Sequence, residues 1–297
     1  MKSFFLIATI GLATLALAQG SRILEINGGA PGGDLRNGPL VWTGNFTATV
    51  QKLSLKATKV TLTAPSGTTL SESKGKRTAI FEGGTTATRG RLNATGPSLE
   101  YKEVTGLGVL SGPVQIKITP EKKEDDQVSI QASKATFDVD TNVSTSEGSV
   151  KLVNGGQTAT SSKVVYDEQS DLGCLSDSRV VTIIREPKKA GDPRLVITAK
   201  ETRVNTKTNT LIALGGVKLE AGDNVTTGEA LFYDDAKDTA WIIGDLAKKL
   251  EAKNVNKKSG TTISGGTIIN YTRKNSVTIQ GALFKIPLEK FVCPSVK

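Results

Sequence analysis

The chain has 297 residues, of which 37% are hydrophobic, 5% are aromatic and none is histidine, and its formal net charge is +9. This length suffices for one long domain or two smaller lobes with a sizeable core. The lack of histidine excludes Ser-His and Cys-His nucleophile pairs, and two cysteines are too few for a thiolate zinc site. We therefore expect no metal and no cofactor, and any catalysis would have to use carboxylates.

The first 18 residues are typical of a cleaved signal peptide. Lys2 supplies the positive charge, Phe4–Ala18 is apolar but short for a membrane span, and Ala16-Leu17-Ala18 places small residues at the cleavage site. No cysteine follows near the predicted mature start at Gln19, so we expect no lipid anchor. The sequence predicts a secreted periplasmic protein in which residues 19–37 form a lead-in.

From residue 38 to residue 290 the chain repeats an apolar anchor followed eleven residues later by a glycine or another small polar residue. A small residue also precedes each anchor by five positions. Such self-similarity indicates stacked units, none of which can bury its apolar face alone. The units are Tyr101–Gly112, Phe137–Gly148, Tyr166–Asp177, Val204–Gly215 and Tyr233–Gly244, with a shorter Tyr271–Gly281 and a weaker Leu62–Ser73.

The alternation inside each unit predicts bent strands. The anchor shares a strand face with the residue two positions earlier, whereas the small residue lies an odd number of positions away. The inward-facing set must therefore change phase between them, as it does at a bulge or a sheet corner where a small residue permits the bend. After the repeat glycine the inward alternation resumes, so each unit predicts a strand, a corner, a strand, a turn and a returning strand.

Charged loops at 120–126, 185–192 and 248–260 interrupt the repeat. Equivalent loops of stacked units should project from one edge and form a basic ridge, although such charge runs are more often plain solvated turns. If the domain divides into two lobes, the loop 119–127 is the candidate boundary. The ridge lysines are Lys122, Lys123, Lys188, Lys189, Lys248, Lys249, Lys257 and Lys258.

The remaining polar motifs are weak. Asp138, Asp140 and Asn142 begin like a calcium loop, but Val143 occupies the position that requires glycine. An Asp recurs directly after the anchors and is read as a turn former, with a catalytic carboxylate pair at Asp234-Asp235 as the alternative. In an oxidising compartment Cys174 and Cys293 could pair and tie the tail 291–297 to the middle of the chain, or could stay unpaired.

Two short patterns resemble the OstA-like, LptA-type family of lipopolysaccharide-transport proteins. Thr43-Gly44-Asn45 followed by the alternating strand Leu53–Val60 is similar to the opening hairpin of that family. Leu110–Val114 and Ala213–Leu219 are similar to its recurring segment with a leucine before a glycine and a valine after it. The resemblance covers about residues 38–285.

The resemblance implies an all-β, elongated open β-jelly roll with two facing antiparallel sheets. It further implies a non-enzymatic carrier that holds the acyl chains of lipopolysaccharide or a related glycolipid in a groove. Its partners would be like-folded inner-membrane and outer-membrane transport proteins, or further copies of itself head to tail, joined by edge-strand pairing, with no nucleic acid.

The inward-facing residues of the repeat are the candidates to line the groove, where they would bury the CH₂ groups of the acyl chains. The alternatives are a structural β-solenoid of the cell envelope with a filled core, and a carbohydrate-active β-helix enzyme that uses carboxylates. The candidates are Val60, Leu62, Leu99, Tyr101, Val114, Ile116, Phe137, Val150, Leu152, Val164, Tyr166, Val217, Leu219, Leu231, Tyr233, Ile269 and Tyr271.

Overall fold

A computed structural model describes residues 21–44, 46–245, 247–281 and 284–296. The predicted signal peptide 1–18 and the mature start near Gln19 lie outside these residues. Across the described ranges, no helix is both long and apolar enough to cross a membrane.

The described chain is almost entirely β-structure, with one short 3₁₀ helix at Leu288–Lys290. The strands are β1 (Glu25–Gly28), β2 (Gly32–Gly33), β3 (Leu40–Thr43), β4 (Phe46–Val50), β5 (Leu53–Lys56), β6 (Lys59–Thr63), β7 (Thr78–Arg89), β8 (Leu92–Lys102), β9 (Leu107–Ile118), β10 (Val128–Asp138), β11 (Val143–Asn154), β12 (Gln157–Asp167), β13 (Leu172–Arg185), β14 (Leu195–Asn205), β15 (Thr210–Ala221), β16 (Asn224–Asp234), β17 (Thr239–Ile243), β18 (Ala252–Asn256), β19 (Thr262–Gly265), β20 (Thr267–Tyr271) and β21 (Ser276–Gln280).

The long strands β7 to β16 form an antiparallel meander, and each pair has a register shift near its middle. The short strands show that the two halves belong to different layers. β5 pairs with the second half of β7 while β6 pairs with the first half, and β17 and β18 divide β16 in the same way. Layer A contains β1, β4, β5, β18, β19, the second halves of the odd-numbered long strands and the first halves of the even-numbered ones. Layer B contains the remaining strands and half-strands.

The even-numbered long strands bend where the repeat predicts a corner. In β8 the buried residues change phase, from Leu92 and Ala94 to Leu99 and Tyr101, across Gly96 and its exposed neighbours. Odd-numbered long strands bend as well, at the repeat glycine, where the repeat predicts no corner. In β15 the bend is Gly215-Gly216, whose φ angles of 80° and 83° lie in the region that favours glycine. The predicted order of strand, corner, strand and returning strand is confirmed, and the returning strand has a bend of its own.

The two layers face each other across one continuous apolar core. The ring of Phe46 in layer A lies 6.5 Å from that of Phe81 in layer B. A methyl group placed on Gly173 in layer B would lie 3.5 Å from Leu152 Cδ1 in layer A, so the layers are in close contact. The sheet also continues across the loop 119–127, because Val128 of β10 pairs with Ile118 of β9. The fold is the predicted all-β open jelly roll.

The last repeat unit departs from the prediction. In β20 the residues that face the core are Ile268 and Asn270, whereas Ile269 and Tyr271 are half-buried on the opposite face. The prediction that Ile269 and Tyr271 face inward is wrong. In this unit each layer receives its own short strand, so no bulge within a strand shifts the alternation. Which residues of β20 face the core is set by the pairing of β20 with β17.

The C-terminal segment 284–296 crosses the outer face of layer B, and we call it the strap. Phe284 stacks on Trp241 at 5.1 Å between ring centroids, and Phe291 contacts Phe232 at 6.4 Å. Cys293 forms a disulfide with Cys174 of β13, with 6.0 Å between the Cα atoms. The tail is thus tied to the middle of the chain, as one of the two sequence interpretations held.

Candidate functional site: the interlayer core and its polar seam

All the candidate groove residues except Ile269 and Tyr271 point between the layers. Their side chains are at most 3% exposed, so the space between the layers is filled by the protein itself. An acyl chain could occupy this space only if the layers moved apart. The residues are Val60, Leu62, Leu99, Tyr101, Val114, Ile116, Phe137, Val150, Leu152, Val164, Tyr166, Val217, Leu219, Leu231 and Tyr233.

The anchor tyrosines have a polar role that the repeat pattern did not reveal. The hydroxyl of Tyr233 donates to Asp235 Oδ1 at 2.7 Å, and that of Tyr166 to Asp171 Oδ1 at 3.2 Å. Burial raises the pKa of both phenols, so they stay protonated and remain donors. Each ring therefore lies in the core while its hydroxyl reaches the edge of the layers.

At that edge the turns of the two layers come together. Rim A is the set of turns 51–52, 90–91, 119–127, 155–156, 186–194, 222–223 and 257–261, with the strand residues that flank them. Rim B is the set 103–106, 139–142, 168–171, 206–209, 235–238 and 272–275, with its flanking residues. Side chains bond from one rim to the other along the molecule, and we call this line of contacts the seam.

The first charged contacts of the seam centre on Arg89 and Arg91. The guanidinium of Arg89 pairs with Glu168 and donates to the carbonyl oxygens of Asp138 and Thr141 at 2.6 and 2.8 Å. Arg91 Nη2 lies 2.8 Å from Asp171 Oδ1. Burial raises the pKa of Glu168 although the bond from Arg89 acts in the opposite direction.

Further along, Arg185 joins two carboxylates of rim B. Its Nε lies 2.9 Å from Asp235 Oδ1 and its Nη2 lies 2.5 Å from Asp238 Oδ1, while its own side chain is only 4% exposed. Lys188 adds a contact of 2.8 Å to Asp235 Oδ2. Burial of Asp235 opposes its charge, but the hydrogen bonds from Lys188, Arg185 and Tyr233 hold its pKa below the ordinary value.

Neutral and terminal contacts complete the seam. Asn154 Nδ2 donates to Asn209 Oδ1 at 2.8 Å, and Asn224 Nδ2 donates to Asn275 Oδ1 at 2.8 Å. At the N-terminal end the lead-in residue Arg22 pairs with Asp140, which is one of the residues that resembled a calcium loop. Together these contacts hold the rims shut over the core.

The sequence contains a signal for rim B that the repeat analysis missed. The residues five positions after successive anchors are Gly106, Asn142, Asp171, Asn209 and Asp238. The residue four positions after the last anchor is Asn275. Asp171, Asn209, Asp238 and Asn275 have φ of 53°, 52°, 48° and 48°, a left-handed conformation that Asp and Asn tolerate. The same residues make the contacts to rim A.

The aspartates that directly follow the anchors are turn formers, as predicted. Asp138 accepts the backbone N–H of Asp140, Asp167 accepts that of Gln169, and Asp234 accepts that of Ala236. Asp234 and its neighbour Asp235 therefore have separate structural roles, one in the turn and one in the seam.

The fold contradicts one part of the predicted basic ridge. The loops that carry Lys122-Lys123, Lys188-Lys189 and Lys257-Lys258 all lie on rim A. Lys248-Lys249 lie between β17 and β18 on the opposite side, at the bend, so their inclusion in the ridge is wrong. The reason is that β17 runs from the rim to the bend, and the loop after it remains there.

Two cavities accompany these features. One of about 180 Å³ opens at the seam and is lined by residues that include Asn154, Arg185, Lys188, Asn209 and Asp235. Another of about 560 Å³ lies at the bends and includes Gly96, Pro97 and Pro113. The lining of the seam cavity carries two cationic side chains, those of Arg185 and Lys188, and three carboxylates, those of Asp126, Glu186 and Asp235.

Comparison with known proteins bears on the first part of the chain. Residues 31–143 match the model of the family described as LptA/(LptD N-terminal domain) LPS transport protein. The resemblance predicted from the sequence is confirmed over this segment. The LptA/LptD-like segment includes Arg89, Arg91 and Asp140, so it contributes to both rims.

Solved structures also match part of the chain. Among the solved chains that match is LptH from Pseudomonas aeruginosa, described as the LptA-homologous periplasmic component of the conserved lipopolysaccharide transport device. It is 14% identical, the match covers 49% of this chain and 97% of LptH, and the TM-score is 0.38. No curated protein matches the sequence.

Proposed function

We propose that this protein is a non-enzymatic periplasmic carrier that shelters the acyl chains of lipopolysaccharide, or of a related envelope glycolipid, on the way to the outer membrane. The observation that supports this most is the match of residues 31–143 to a lipopolysaccharide-transport family. The continuous apolar core between the layers supplies a path of the right chemistry. The predicted signal peptide supports the periplasmic location.

Binding requires the layers to separate, because the core side chains are already in contact. Each acyl CH₂ that leaves water contributes about 0.8 kcal/mol, so several chains of ordinary length could offset the lost contacts between the layers. The carrier would then be closed when empty and open when loaded, without an internal void at rest.

A photo-crosslinker placed in the core tests this proposal. Phe137→p-benzoylphenylalanine puts the reactive group between the layers, whereas Val180→p-benzoylphenylalanine puts it at an exposed bend position, 43% accessible. In cells of the native host, irradiation should attach lipopolysaccharide to the Phe137 variant and not to the Val180 variant. Equal labelling at both positions, or none at Phe137, would contradict acyl binding between the layers.

The filled core favours a second candidate, a structural element of the cell envelope with no ligand. Its distinguishing expectation is that the layers never separate. In the same experiment the Phe137 variant would then crosslink only to the protein itself, and protein purified from the host would carry no lipid in a native mass spectrum.

We further propose that like-folded partners, or other copies of this chain, add to the C-terminal strands. In the described sheet β19 and β21 each pair on one side only, and Ile279 in β21 is 49% exposed. A charged residue on an edge strand disfavours strand addition. Ile279→Lys should therefore weaken head-to-tail association in sedimentation velocity, whereas Val180→Lys should not, and unchanged association would contradict this proposal.

A further inference from the structure

The buried ion pairs of the seam all have the same direction, with the arginine on rim A and the carboxylate on rim B, whereas the exposed pair of Glu121 and Lys207 has the opposite direction. Rim A contributes the guanidinium groups of Arg89, Arg91 and Arg185. Their partners are the carboxylates of rim B, on Glu168, Asp171, Asp235 and Asp238. If the rims part, three arginines lose their partners at once.

We propose that the seam is the entry for the ligand, and that the phosphate groups of a phosphorylated acyl lipid replace the rim B carboxylates on these arginines. This rests on the proposed function and specifies where the lipid enters and which headgroup it carries. The layers cannot part at the bend, because every long strand runs through it from one layer to the other. The seam is the side where separation breaks only side-chain contacts.

The chemistry of the seam favours a phosphorylated headgroup over a neutral one. The side chains of Arg89 and Arg185 are only 5% and 4% exposed, and a largely buried charge that loses its partner is strongly unfavourable. A phosphate accepts the same two-pronged hydrogen bonds from arginine as a carboxylate does. A neutral headgroup would leave the guanidinium groups unpaired once the rims had moved.

The structure also links the seam to the core. The carboxylates of Asp171 and Asp235 accept hydrogen bonds from the core anchors Tyr166 and Tyr233 as well as from the arginines. Loss of the arginine contacts therefore loosens the anchors at the same positions. The seam cavity of about 180 Å³ lies beside Arg185 and Lys188, and beside the carboxylates of Asp126, Glu186 and Asp235.

A crosslink across the seam tests the entry. Glu121 and Lys207 lie on opposite rims, 2.7 Å apart and both 53% exposed, so Glu121→Cys/Lys207→Cys joined by a short bis-maleimide would lock the seam. The native cysteines are bonded to each other and do not compete. The matched control is Lys134→Cys/Glu147→Cys, a pair 3.4 Å apart on neighbouring strands of layer B.

Two probes with the same acyl chain test the headgroup, a lysophosphatidate and a monoacylglycerol. We expect the wild-type mature protein to bind the lysophosphatidate at least fivefold more tightly. The seam crosslink should weaken that binding at least tenfold, while the control crosslink should leave it unchanged. Arg91→Gln, at the most exposed of the three arginines, should weaken binding of the lysophosphatidate and not of the monoacylglycerol.

Binding of the lysophosphatidate by the locked protein as tightly as by the control would overturn the seam as the entry. Equal affinity of the wild type for the two probes, or equal effects of Arg91→Gln on both, would overturn the phosphate exchange. Both results leave the carrier function intact. Failure of the wild type to bind either probe would instead count against the carrier function, and the entry with it.

Discussion

At the scale of single residues, the least expected feature is the paired burial of charge at the edge of an apolar core. Arg185, Asp235 and Tyr233 form a chain of hydrogen bonds from rim A through rim B into the core. Sequence reasoning predicted that Tyr233 faces inward but not what its hydroxyl contacts. Which turn of rim B lies opposite which turn of rim A depends on how the bent strands fold over, and hydrophobic periodicity carries no information about that.

Removal of Arg185 should be costly, because Asp235 and Asp238 are largely buried and each loses a charged partner, although Lys188 still contacts Asp235 and Arg273 still contacts Asp238. We expect Arg185→Ala to lower the free energy of unfolding by about 1.5–3 kcal/mol, measured by urea denaturation. Lys59→Ala removes the exposed pair with Glu82, whose side chains are 46% and 48% accessible, and should cost at most about 1 kcal/mol. Similar losses in the two variants would contradict the structural importance of the seam.

Asp235 should give the seam a dependence on acid. Its pKa lies below the ordinary value of 3.8, so its charged form favours the folded state. The stability that it contributes is complete above that ordinary value and is lost as the pH falls through the lowered pKa. Urea midpoints of the wild type should therefore exceed those of Asp235→Asn by a constant amount between pH 5 and pH 7, and the difference should shrink below about pH 4. A difference that grows on acidification would contradict the assignment.

At the scale of elements, the bent strands follow from the sequence and the strap does not. Gly96 marks a bend because the buried residues change from one strand face to the other there. Gly215-Gly216 mark a bend because their φ angles lie in the left-handed region. The same logic fails at β20, where no bend lies within the strand and pairing with β17 decides which residues face the core. The path of the strap is set by contacts of Phe284 and Phe291 with distant aromatic rings, which have no local pattern.

The disulfide should be the main tether of the strap. It closes a loop with a sequence separation of 119, and a disulfide typically contributes about 2–4 kcal/mol of stabilisation. We expect Cys174→Ser/Cys293→Ser to lose stability by that amount and to exchange the amide hydrogens of 284–296 faster. If the protection of the strap amides against hydrogen exchange stays unchanged, the ring contacts of Phe284 and Phe291 hold the strap without the disulfide.

At the scale of the whole molecule, the described residues form a jelly roll that is held together in two different ways. At the bends the backbone passes from layer to layer, and at the seam only side chains join the rims. The all-β class, the repeat and the inward-facing anchors could be predicted from the sequence because they depend on period-two alternation. Whether the layers stand apart or touch depends on the sizes of facing side chains, such as Leu152 against Gly173, and could not be predicted.

The carrier function and the entry at the seam both require the layers to separate at the seam around an acyl chain. Spin labels on Glu121→Cys and Lys207→Cys, left uncrosslinked, would report the distance between the rims by pulsed electron resonance. Added lipopolysaccharide should produce a second population with a longer distance, while labels on Lys134→Cys and Glu147→Cys should show none. A single unchanged distance across the seam, in protein shown to carry the lipid, would contradict this account.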